Sequence, residues 1–475
     1  MKEETMLKRF VHAVLLLVLT AGSLFPQDTS NKRPVPGDAV FAFVDVNVVP
    51  MDSERLIRSQ TVIVREGRIA TMGPAKSVRL PKGAVRIDGR GRYLMPGLAD
   101  MHVHLEYFDR DTQLLLFLAN GVTTVRNMDG RPNILSWQKR IADGTLIGPT
   151  IFTAGAILEG KPPLRDDNRV VETPAQAEAA VEEQKRAGYD FVKVYHTLSR
   201  ETYEAIVAAA RKHGLTVAGH VPRSVGLRGA LAARQKSIEH LDGYVDEIEA
   251  DDSPLRNQRS WLKRFFAVKV DEDKIRSIVA ATQLAEVWSV PTLVERQNSA
   301  LSSQTAQALV GRPEMRYLPP STTEIWSQGN ERVTRRMSPE DFERLTEGER
   351  ARKRLVKLLQ EGGARLLVGT DTPNQFVIPG FSVHQELQNF ADAGLTPYQA
   401  LKAATRDAAE FMGALSVTGT ISAGKRADLI LLEGNPLESI TNTKRRVGVM
   451  ARGRWYTAGD LQKQLDALAA SYAGK

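Results

Sequence analysis

Short apolar runs broken by glycine turns occur near both ends of the chain. These strand-like segments begin at Ala42, Thr61, Ala84, Gly419 and Arg446. Runs of this length, rich in β-branched residues and bounded by Gly or Pro, are typical of β-strands. Since the two sets lie on either side of a long middle region, we expect both chain ends to form one small β-sandwich domain, over residues 38–95 and 418–460.

The middle region, residues 96–417, alternates between apolar strand-like runs and helical stretches rich in Ala, Glu and Arg. The predicted strands are Leu98–Leu105, Gly121–Met128, Pro149–Gly155, Tyr189–Tyr195, Leu215–Val221, Gln235–Leu241, Glu286–Leu293 and Arg365–Asp371. The stretches Thr173–Gly188 and Ser199–Gly214 have a helical pattern and end in Gly, as helices often do. Eight strands that alternate with helices predict an α/β fold, a (β/α)8 TIM barrel.

A long charged segment, residues 295–361, separates the seventh and eighth predicted strands. Its pattern is mostly helical. Connections of this length are uncommon in compact domains unless they have a function of their own. We interpret the segment as a helical insert that forms a lid over the mouth of the barrel; the alternative is an ordinary connection decorated on the surface.

The N-terminal residues have the pattern of a secretory signal. Lys8 and Arg9 precede an apolar run, Val11–Leu19, which is followed by small residues. We therefore predict that residues 1–27 are a signal peptide and that the protein is secreted or periplasmic. The run is shorter than the ~20 apolar residues that cross a bilayer. Membrane contact would then arise only if this segment stayed uncleaved as an anchor, which is the alternative.

Composition narrows the kinds of partner and ligand. The 475 residues carry a net charge of +8, spread along the chain without a long basic run, which argues against a nucleic-acid partner. The chain contains no Cys, so disulfides and thiolate metal ligands are excluded. A metal site would have to use His, carboxylate or a rarer ligand. We expect a small-molecule substrate, and we leave a homo-oligomer open.

Ionisable side chains coincide with the carboxyl ends of the predicted strands. They are His102, His104, His220, His240 and Asp371, and Lys193 lies within the fourth predicted strand. Residues two apart in a strand point to the same side, so His102 and His104 form a ready pair. The carboxyl ends of barrel strands converge on one mouth. Because uncompensated buried polar groups are costly, this convergence indicates a metal site.

Lys193 is the unusual member of this set. Burial beside cations favours its neutral form. A neutral amine can add carbon dioxide and become a carbamate, an anionic ligand able to bridge two metals roughly 3.5–4 Å apart. The alternative is an unmodified lysine, acting as a charge or electrophile beside a single metal.

Several motifs together resemble the amidohydrolase superfamily, most closely its imidazolonepropionase-like and Xaa-Pro dipeptidase-like branch. They are YLMPGLADMHVHL, VKVY, AGHVP, SIEHLDG, VGTD and GTISAGKRADLILLEGNP. The resemblance implies one metal held by His102, His104 and Asp371, and a second held by His220 and His240. It further implies a carboxylated Lys193 as the bridge, and zinc as the metal.

The predicted function is hydrolysis of an amide bond by a hydroxide bound to two metals. Asp371 would take the proton of the hydroxide and deliver it to the leaving nitrogen. The substrate would be a dipeptide or other peptide, an N-acyl amino acid or a cyclic amide. A lactonase or phosphoesterase on the same site is the alternative, followed by a barrel that binds without catalysis.

Weaker candidates line the predicted substrate pocket. They are Tyr195, His196, Arg223 and His384. Dipeptidase-like relatives often have Ala-Tyr after the histidine of the fifth strand, whereas this chain has Val221 and Pro222. The resemblance therefore supports the assignment of the metal ligands more strongly than it supports specificity for dipeptides.

Overall fold

The computed structural model of the protein describes residues 39–105, 107–253, 269–298 and 305–473. The predicted signal peptide, residues 1–27, lies outside the described residues. Within these ranges, no helix combines the length and the apolar character needed to cross a membrane.

The described chain has a mixed α/β fold in which strands and helices alternate through the middle region. The strands are β1 Phe41–Val48, β2 Ile57–Arg65, β3 Arg68–Pro74, β4 Val85–Asp88, β5 Tyr93–Pro96, β6 Leu98–Val103, β7 Val122–Asn127, β8 Thr150–Thr153, β9 Leu158–Glu159, β10 Arg169–Val170, β11 Phe191–Val194, β12 Thr216–Gly219, β13 Ser237–Glu239, β14 Trp288–Val290, β15 Arg365–Leu366, β16 Leu429–Leu432, β17 Arg446–Ala451 and β18 Arg454–Thr457. The α-helices are Arg110–Ala119, Pro132–Ala142, Pro174–Ala187, Arg200–Lys212, Gly226–Ala232, Tyr244–Ile248, Glu272–Leu284, Leu293–Asn298, Ala306–Val310, Pro320–Thr334, Pro339–Glu361, Phe381–Asp392, Pro397–Ala403, Arg406–Phe411 and Ala458–Ala473. Two 3-10 helices span Pro313–Tyr317 and Ile440–Lys444.

Both ends of the chain contribute to one sheet, which we call the terminal sheet. Its strand order is β18-β17-β16-β5-β1-β2-β3, and β4 pairs with β1. The two ends meet where β16 runs antiparallel to β5, with Leu431 opposite Leu94. Phe43 and Trp455, from opposite ends of the sequence, make an edge-to-face contact at 5.3 Å. The predicted association of the two ends is thus observed, whereas their folding into a sandwich stays a prediction.

The middle region contains all eight predicted strands as β6, β7, β8 and β11–β15. They lie in two parallel sheets, β6-β7-β8 and β10-β9-β11-β12-β13-β14-β15. The short strands β9 and β10 were not predicted. Isolated parallel bridges join the two sheets, between Ala154 after β8 and Phe191 of β11, and between Val103 of β6 and Thr372 after β15.

Local signals in the sequence account for the outer helices. Helix Pro174–Ala187 begins with a capping box between Thr173 and Gln176, and ends at Gly188, whose φ of 93° is left-handed. The helix Arg200–Lys212 begins at the cap Ser199. Both helices were predicted with these ends. They bury their apolar faces against β11 and β12 in one hydrophobic cluster.

The region of the predicted insert, residues 295–361, is helical where it is described. Its last helix, Pro339–Glu361, starts with a capping box at Ser338. Leu355, Val356 and Leu359 of that helix are buried in the main hydrophobic core. Leu309, Tyr317 and Trp326, earlier in the segment, are also buried in a hydrophobic cluster. A lid formed by this segment stays a prediction.

Candidate metal centre

The first group of converging side chains consists of His102, His104 and Asp371. The two histidines come from the end of β6, and Asp371 follows β15, which places them at neighbouring strand ends. Nε2 of His102 lies 3.3 Å from Oδ1 of Asp371, and Nε2 of His104 lies 3.2 Å from the same oxygen. One ligand atom from each residue lies within 4.8 Å of the others. These three side chains could hold one metal ion.

The second group consists of His196, His220 and Asp242, which follow β11, β12 and β13. It also offers three ligand atoms within 4.8 Å of one another. Nδ1 of His220 lies 2.5 Å from Oδ2 of Asp242, and Nε2 of His196 lies 3.8 Å from that oxygen. The rings of His196 and His220 are 4.2 Å apart. The second group thus adds an imidazole and a carboxylate to the predicted ligand His220.

His240 lies between the two groups. Its ring centroid is 4.6 Å from that of His102 and 4.7 Å from that of His220. Nδ1 of His240 is 2.7 Å from Oγ1 of Thr292, which leaves Nε2 for a ligand. A further set of potential ligand atoms joins His240 and Asp371 with Glu295, which the sequence did not single out.

Lys193 is buried on β11, with 1 % of its surface exposed. Its Nζ atom has no hydrogen-bond partner. Burial, together with the nearby charge of Arg126, lowers the pKa of Lys193 to about 8, although Glu239 and Asp371 oppose the shift. A buried amine without a partner is costly as an ammonium ion. The lowered pKa raises the fraction of Lys193 in the neutral form, which can react with carbon dioxide.

A buried ion pair supports His102 from behind; we call it the Glu239–Arg126 clamp. Oε2 of Glu239 is 2.7 Å from Nδ1 of His102, and Arg126 donates to both carboxylate oxygens at 2.9 and 3.0 Å. Arg126 also donates to the carbonyl of Met101 and to Ser237. Both charged side chains are fully buried. The clamp fixes the ring of His102 so that Nε2 faces Asp371.

The site favours neutral imidazoles and ionised carboxylates. Burial lowers the pKa of His220 and His240 well below the usual range, so both rings are neutral at pH 7. Burial opposes ionisation of Asp371, but His102, His240 and His104 together hold its pKa well below the usual range. Neutral imidazole and carboxylate are the protonation states that bind metals.

Glycine and left-handed backbone bring the strands and their ends close together. A Cβ atom on Gly369 would lie 2.9 Å from Cβ of His102, so only glycine lets β6 and the chain after β15 approach this closely. The backbone is left-handed at His240, with a φ of 60°, and at Asp371, with a φ of 62°. Such conformations are rare outside glycine and concentrate at functional sites.

The predicted pocket residues divide into two sets. The ring of Tyr195 is 4.4 Å from that of His220, and His196 belongs to the second group. Arg223 is exposed, and its backbone N–H donates to the carbonyl of His196, so it lies beside the second group. Tyr195 and His196 thus lie beside the candidate ligands, and Arg223 lies next to them through its backbone; their contact with a substrate stays a prediction.

The prediction that His384 lines the pocket is wrong. The ring of His384 is buried, with Nδ1 3.0 Å from Oγ1 of Thr443 and Nε2 3.1 Å from the carbonyl of Asn120. Arg446 also contacts Nε2 at 3.0 Å. Asn120 ends a helix just before β7 begins, at the end of the strands opposite the metal centre. Helix Phe381–Asp392 buries this face against the terminal sheet. His384 therefore links its helix to Arg446 of that sheet and to Asn120 before β7.

Sequence reasoning missed residues that stand next to the predicted ligands. They are Arg126, Glu239, Asp242, Thr292 and Glu295. Glu239 and Asp242 lie in the same SIEHLDG motif as His240, so the signal was present as acidic residues on either side of a ligand.

Comparison with known proteins identifies the family. The sequence model of the Amidohydrolase family matches residues 93–456. The chain belongs to the amidohydrolase family. Ochratoxinase of Aspergillus niger is 24 % identical over 465 aligned residues, covering 83 % of this chain and 81 % of that protein. Imidazolonepropionase of Salmonella typhi is 27 % identical over 429 aligned residues, covering 86 % of this chain and 95 % of that protein.

A solved structure supports the same assignment. Bottromycin amidohydrolase has 25 % sequence identity and a TM-score of 0.75, over 93 % of this chain and 92 % of that protein. The predicted resemblance to the amidohydrolases and to their imidazolonepropionase-like branch is therefore confirmed. The protein is an enzyme of this family, a hydrolase that acts on carbon–nitrogen bonds.

Proposed function

We propose that the protein is a binuclear metal-dependent hydrolase that cleaves an amide bond in a small molecule. Lys193 carries this proposal, because its amine is buried without a hydrogen-bond partner and its charge interacts with Asp371 of the first group and Asp242 of the second. A carbamate on Lys193 would exchange an unpaired buried amine for an anion between two cations. It would satisfy a polar atom that the protein alone leaves unsatisfied.

The residues present fit two divalent ions. Four histidines and Asp371 offer neutral nitrogens and an ionised oxygen, the donor set typical of zinc. His102, His104 and Asp371 would hold one ion; His220 and His240 would hold the other, with Lys193 as the bridge. Bound there, the metals would act as Lewis acids that polarise the amide carbonyl and lower the pKa of water.

The protein's own side chains would position the reactants and move the proton. Asp371 is fixed between two histidines, where its carboxylate can accept a proton from the attacking water and deliver it to the leaving amine. Tyr195 and His196 border the second group and would contact the substrate. Arg223, exposed beside them, would attract a substrate carboxylate.

The protein would be an exported barrel enzyme. The two parallel sheets and the bridges between them support one (β/α)8 barrel with the metal centre at its mouth. The apolar N-terminal segment supports export, so the substrate would be met outside the cytoplasm. Relatives named for hydrolysis of ochratoxin, imidazolonepropionate and bottromycin support an amide of small size.

A substrate screen tests the proposed activity. Zinc-loaded protein would be incubated with dipeptides, N-acyl amino acids and lactams, and release of amine and acid would be measured. The matched variants are Lys193→Ala, which removes the bridge, and Lys139→Ala, which removes a lysine of the outer helix Pro132–Ala142. We expect release by the parent and by Lys139→Ala, and its loss in Lys193→Ala.

Chemical rescue tests the carbamate separately. Short carboxylic acids such as acetate or propionate would supply bridging oxygens in the space vacated by Lys193→Ala, so part of the activity should return with them. Rescue by methylamine instead would indicate an unmodified amine. Hydrolysis of lactones or phosphoesters in place of amides, with two metals bound, would refute the amide assignment and keep the metal centre.

A further inference from the structure

A cavity lined by arginines lies away from the metal centre, between the terminal sheet and the loop before β8. Its volume is about 320 Å³. The charged residues that line it are Glu66, Arg68, Asp143, Arg426, Arg452 and Arg454. The loop leads from helix Pro132–Ala142 into the start of β8, whereas the metal ligands follow the carboxyl ends of the strands. The cavity, which we call the arginine cavity, is therefore at the opposite end of the fold.

The charges of the lining do not balance. Four arginines and two acidic residues, Glu66 and Asp143, line the cavity, an excess of two positive charges. Arg426 is also paired with Asp428 at 2.6 Å, which reduces the excess without removing it. The arginines come from three separate turns of the chain, so this concentration of charge arises in the folded protein.

Hydrogen bonds and a ring contact fix the positions of three of the arginines. Arg68 donates from one terminal nitrogen to the carbonyl of Gly424 at 2.9 Å, and Arg452 donates from one to that of Ala142 at 3.0 Å. The guanidinium of Arg454 lies 6.0 Å from the ring centre of Tyr456. A guanidinium has five N–H donors, so these contacts use a minority of them.

The backbone prevents the arginines from moving apart. A Cβ atom on Gly453 would lie 2.3 Å from Cα of Gly67, so the two turns that carry Arg68, Arg452 and Arg454 touch through their main chains. Asp428 links the turn that carries Arg452 to the segment that carries Arg426. It accepts hydrogen bonds from the backbone N–H of Arg452 at 2.8 Å and from the side chain of Arg426. Burial, followed by the charge of Arg426, lowers the pKa of Arg452, which agrees with mutual repulsion.

We propose that the arginine cavity binds a small oxyanion with at least two negative charges. Fixed, like-charged guanidinium groups with free donors are the arrangement that recognises phosphate-type and carboxylate groups. The volume is at the lower end of the range for ligand pockets, which suits a compact molecule. Because the lining joins the terminal sheet to the loop before β8, the bound anion would stabilise the junction between them.

Binding would be measured on the full, metal-loaded protein by isothermal titration calorimetry and by thermal unfolding. The probes are sulfate, a tetrahedral dianion, and tricarballylate, a compact tricarboxylate, each compared with chloride at equal ionic strength. We expect saturable binding of at least one probe with one equivalent per chain, and a rise in Tm that saturates with it. Binding of sulfate alone indicates a phosphate-type ligand, and binding of tricarballylate alone indicates a polycarboxylate.

Two single variants and a control complete the test. Arg454→Gln and Arg452→Gln should weaken binding by about tenfold or more, equivalent to about 1.4 kcal/mol. Amide hydrolysis should stay unchanged, since both residues are remote from the metal centre. Arg90→Gln, which removes an exposed arginine of the same domain paired with Asp88, should bind as the parent does. Absence of saturable binding, or equal weakening by Arg90→Gln, would overturn the proposal.

Discussion

The two groups of potential ligand atoms in the candidate metal centre place their carboxylates differently. In the first group, His102 is held from behind by Glu239, a carboxylate with none of its surface exposed and neutralised by Arg126. In the second group, His220 points its Nδ1 atom directly at Asp242, whose side chain is 17 % exposed. Glu239 orients the candidate ligand His102 from outside the first group, whereas Asp242 is itself a potential ligand in the second group.

The first group is therefore preorganised for a metal ion, whereas the second group can adopt more than one arrangement. A ligand whose outer nitrogen is fixed by a buried ion pair has one orientation and one tautomer, so the first group is set before any metal arrives. Asp242 can either accept a hydrogen bond from His220 or share a metal with it. We therefore expect variants of the first group and its clamp to have larger effects than variants of the second.

Asp371→Asn should have the largest effect. The amide keeps an oxygen near both histidines but cannot accept the proton of the attacking water, so kcat should fall by about 10²–10⁴-fold. The measurement is steady-state turnover of the substrate found in the screen, together with the zinc content of the variant. Near-normal kcat with both metals bound would refute the role of Asp371.

Glu239→Gln should weaken metal binding rather than turnover of the loaded enzyme. Loss of the negative charge behind His102 leaves Arg126 unpaired and the ring less firmly oriented, and metal affinity should fall by about 10–100-fold. Chelator competition would measure this fall, with Tm of the metal-free proteins as the check on folding. If affinity is unchanged, the clamp has no function beyond packing.

Asp242→Asn should have a smaller effect, limited to one of two metal equivalents. Asn keeps a hydrogen bond with His220 but provides no charge, so affinity for that equivalent should fall by less than about tenfold. Asp246→Asn, four residues further on in the first turn of helix Tyr244–Ile248, is the matched control. An effect as large as that of Glu239→Gln would mean that both groups depend equally on a carboxylate.

Glu386 provides a pH-dependent test of the segment behind His240. It accepts backbone hydrogen bonds from Leu293 at 2.9 Å and Val294 at 2.7 Å, directly after Thr292, the partner of His240. Burial raises the pKa of Glu386 from 4.5 to about 8. The folded state therefore keeps a proton that the unfolded state releases, and stability falls as pH rises from about 4.5 to 8.

Glu386→Gln should remove this slope, which is at most about 1.4 kcal/mol per pH unit. The Tm of the variant relative to the parent should therefore rise between pH 5 and pH 8. A difference in Tm that stays constant over this range would show that Glu386 is not protonated in the folded protein.

Much of the fold could be predicted because it follows from local pattern. The eight middle strands and the ends of the helices at Gly188 and Ser199 depend on short-range rules of apolar periodicity and capping. The short strand β9 has only two residues, too few for a periodic pattern.

The site was predictable where residues end strands, and less so where the chain turns. His102 and His220 could be assigned from strand position alone. Asp242 could not, because the left-handed backbone at His240 and Leu241 decides which neighbours turn inward. The prediction for His384 was wrong because its position on the helix after β15 did not show which way that face of the helix points.

The terminal sheet has a consequence for the order in which the protein folds. Strand β5, only two residues before β6 and its histidines, has β16 as a neighbour, and more than three hundred residues separate these partners in sequence. Strands β1–β5 are synthesised long before β16–β18, so the edge of β5 that pairs with β16 is unpaired until then. Pairing across such a distance closes a very long loop, which slows folding. Until the pairing forms, the unpaired edge of β5 can associate with the strands of other chains.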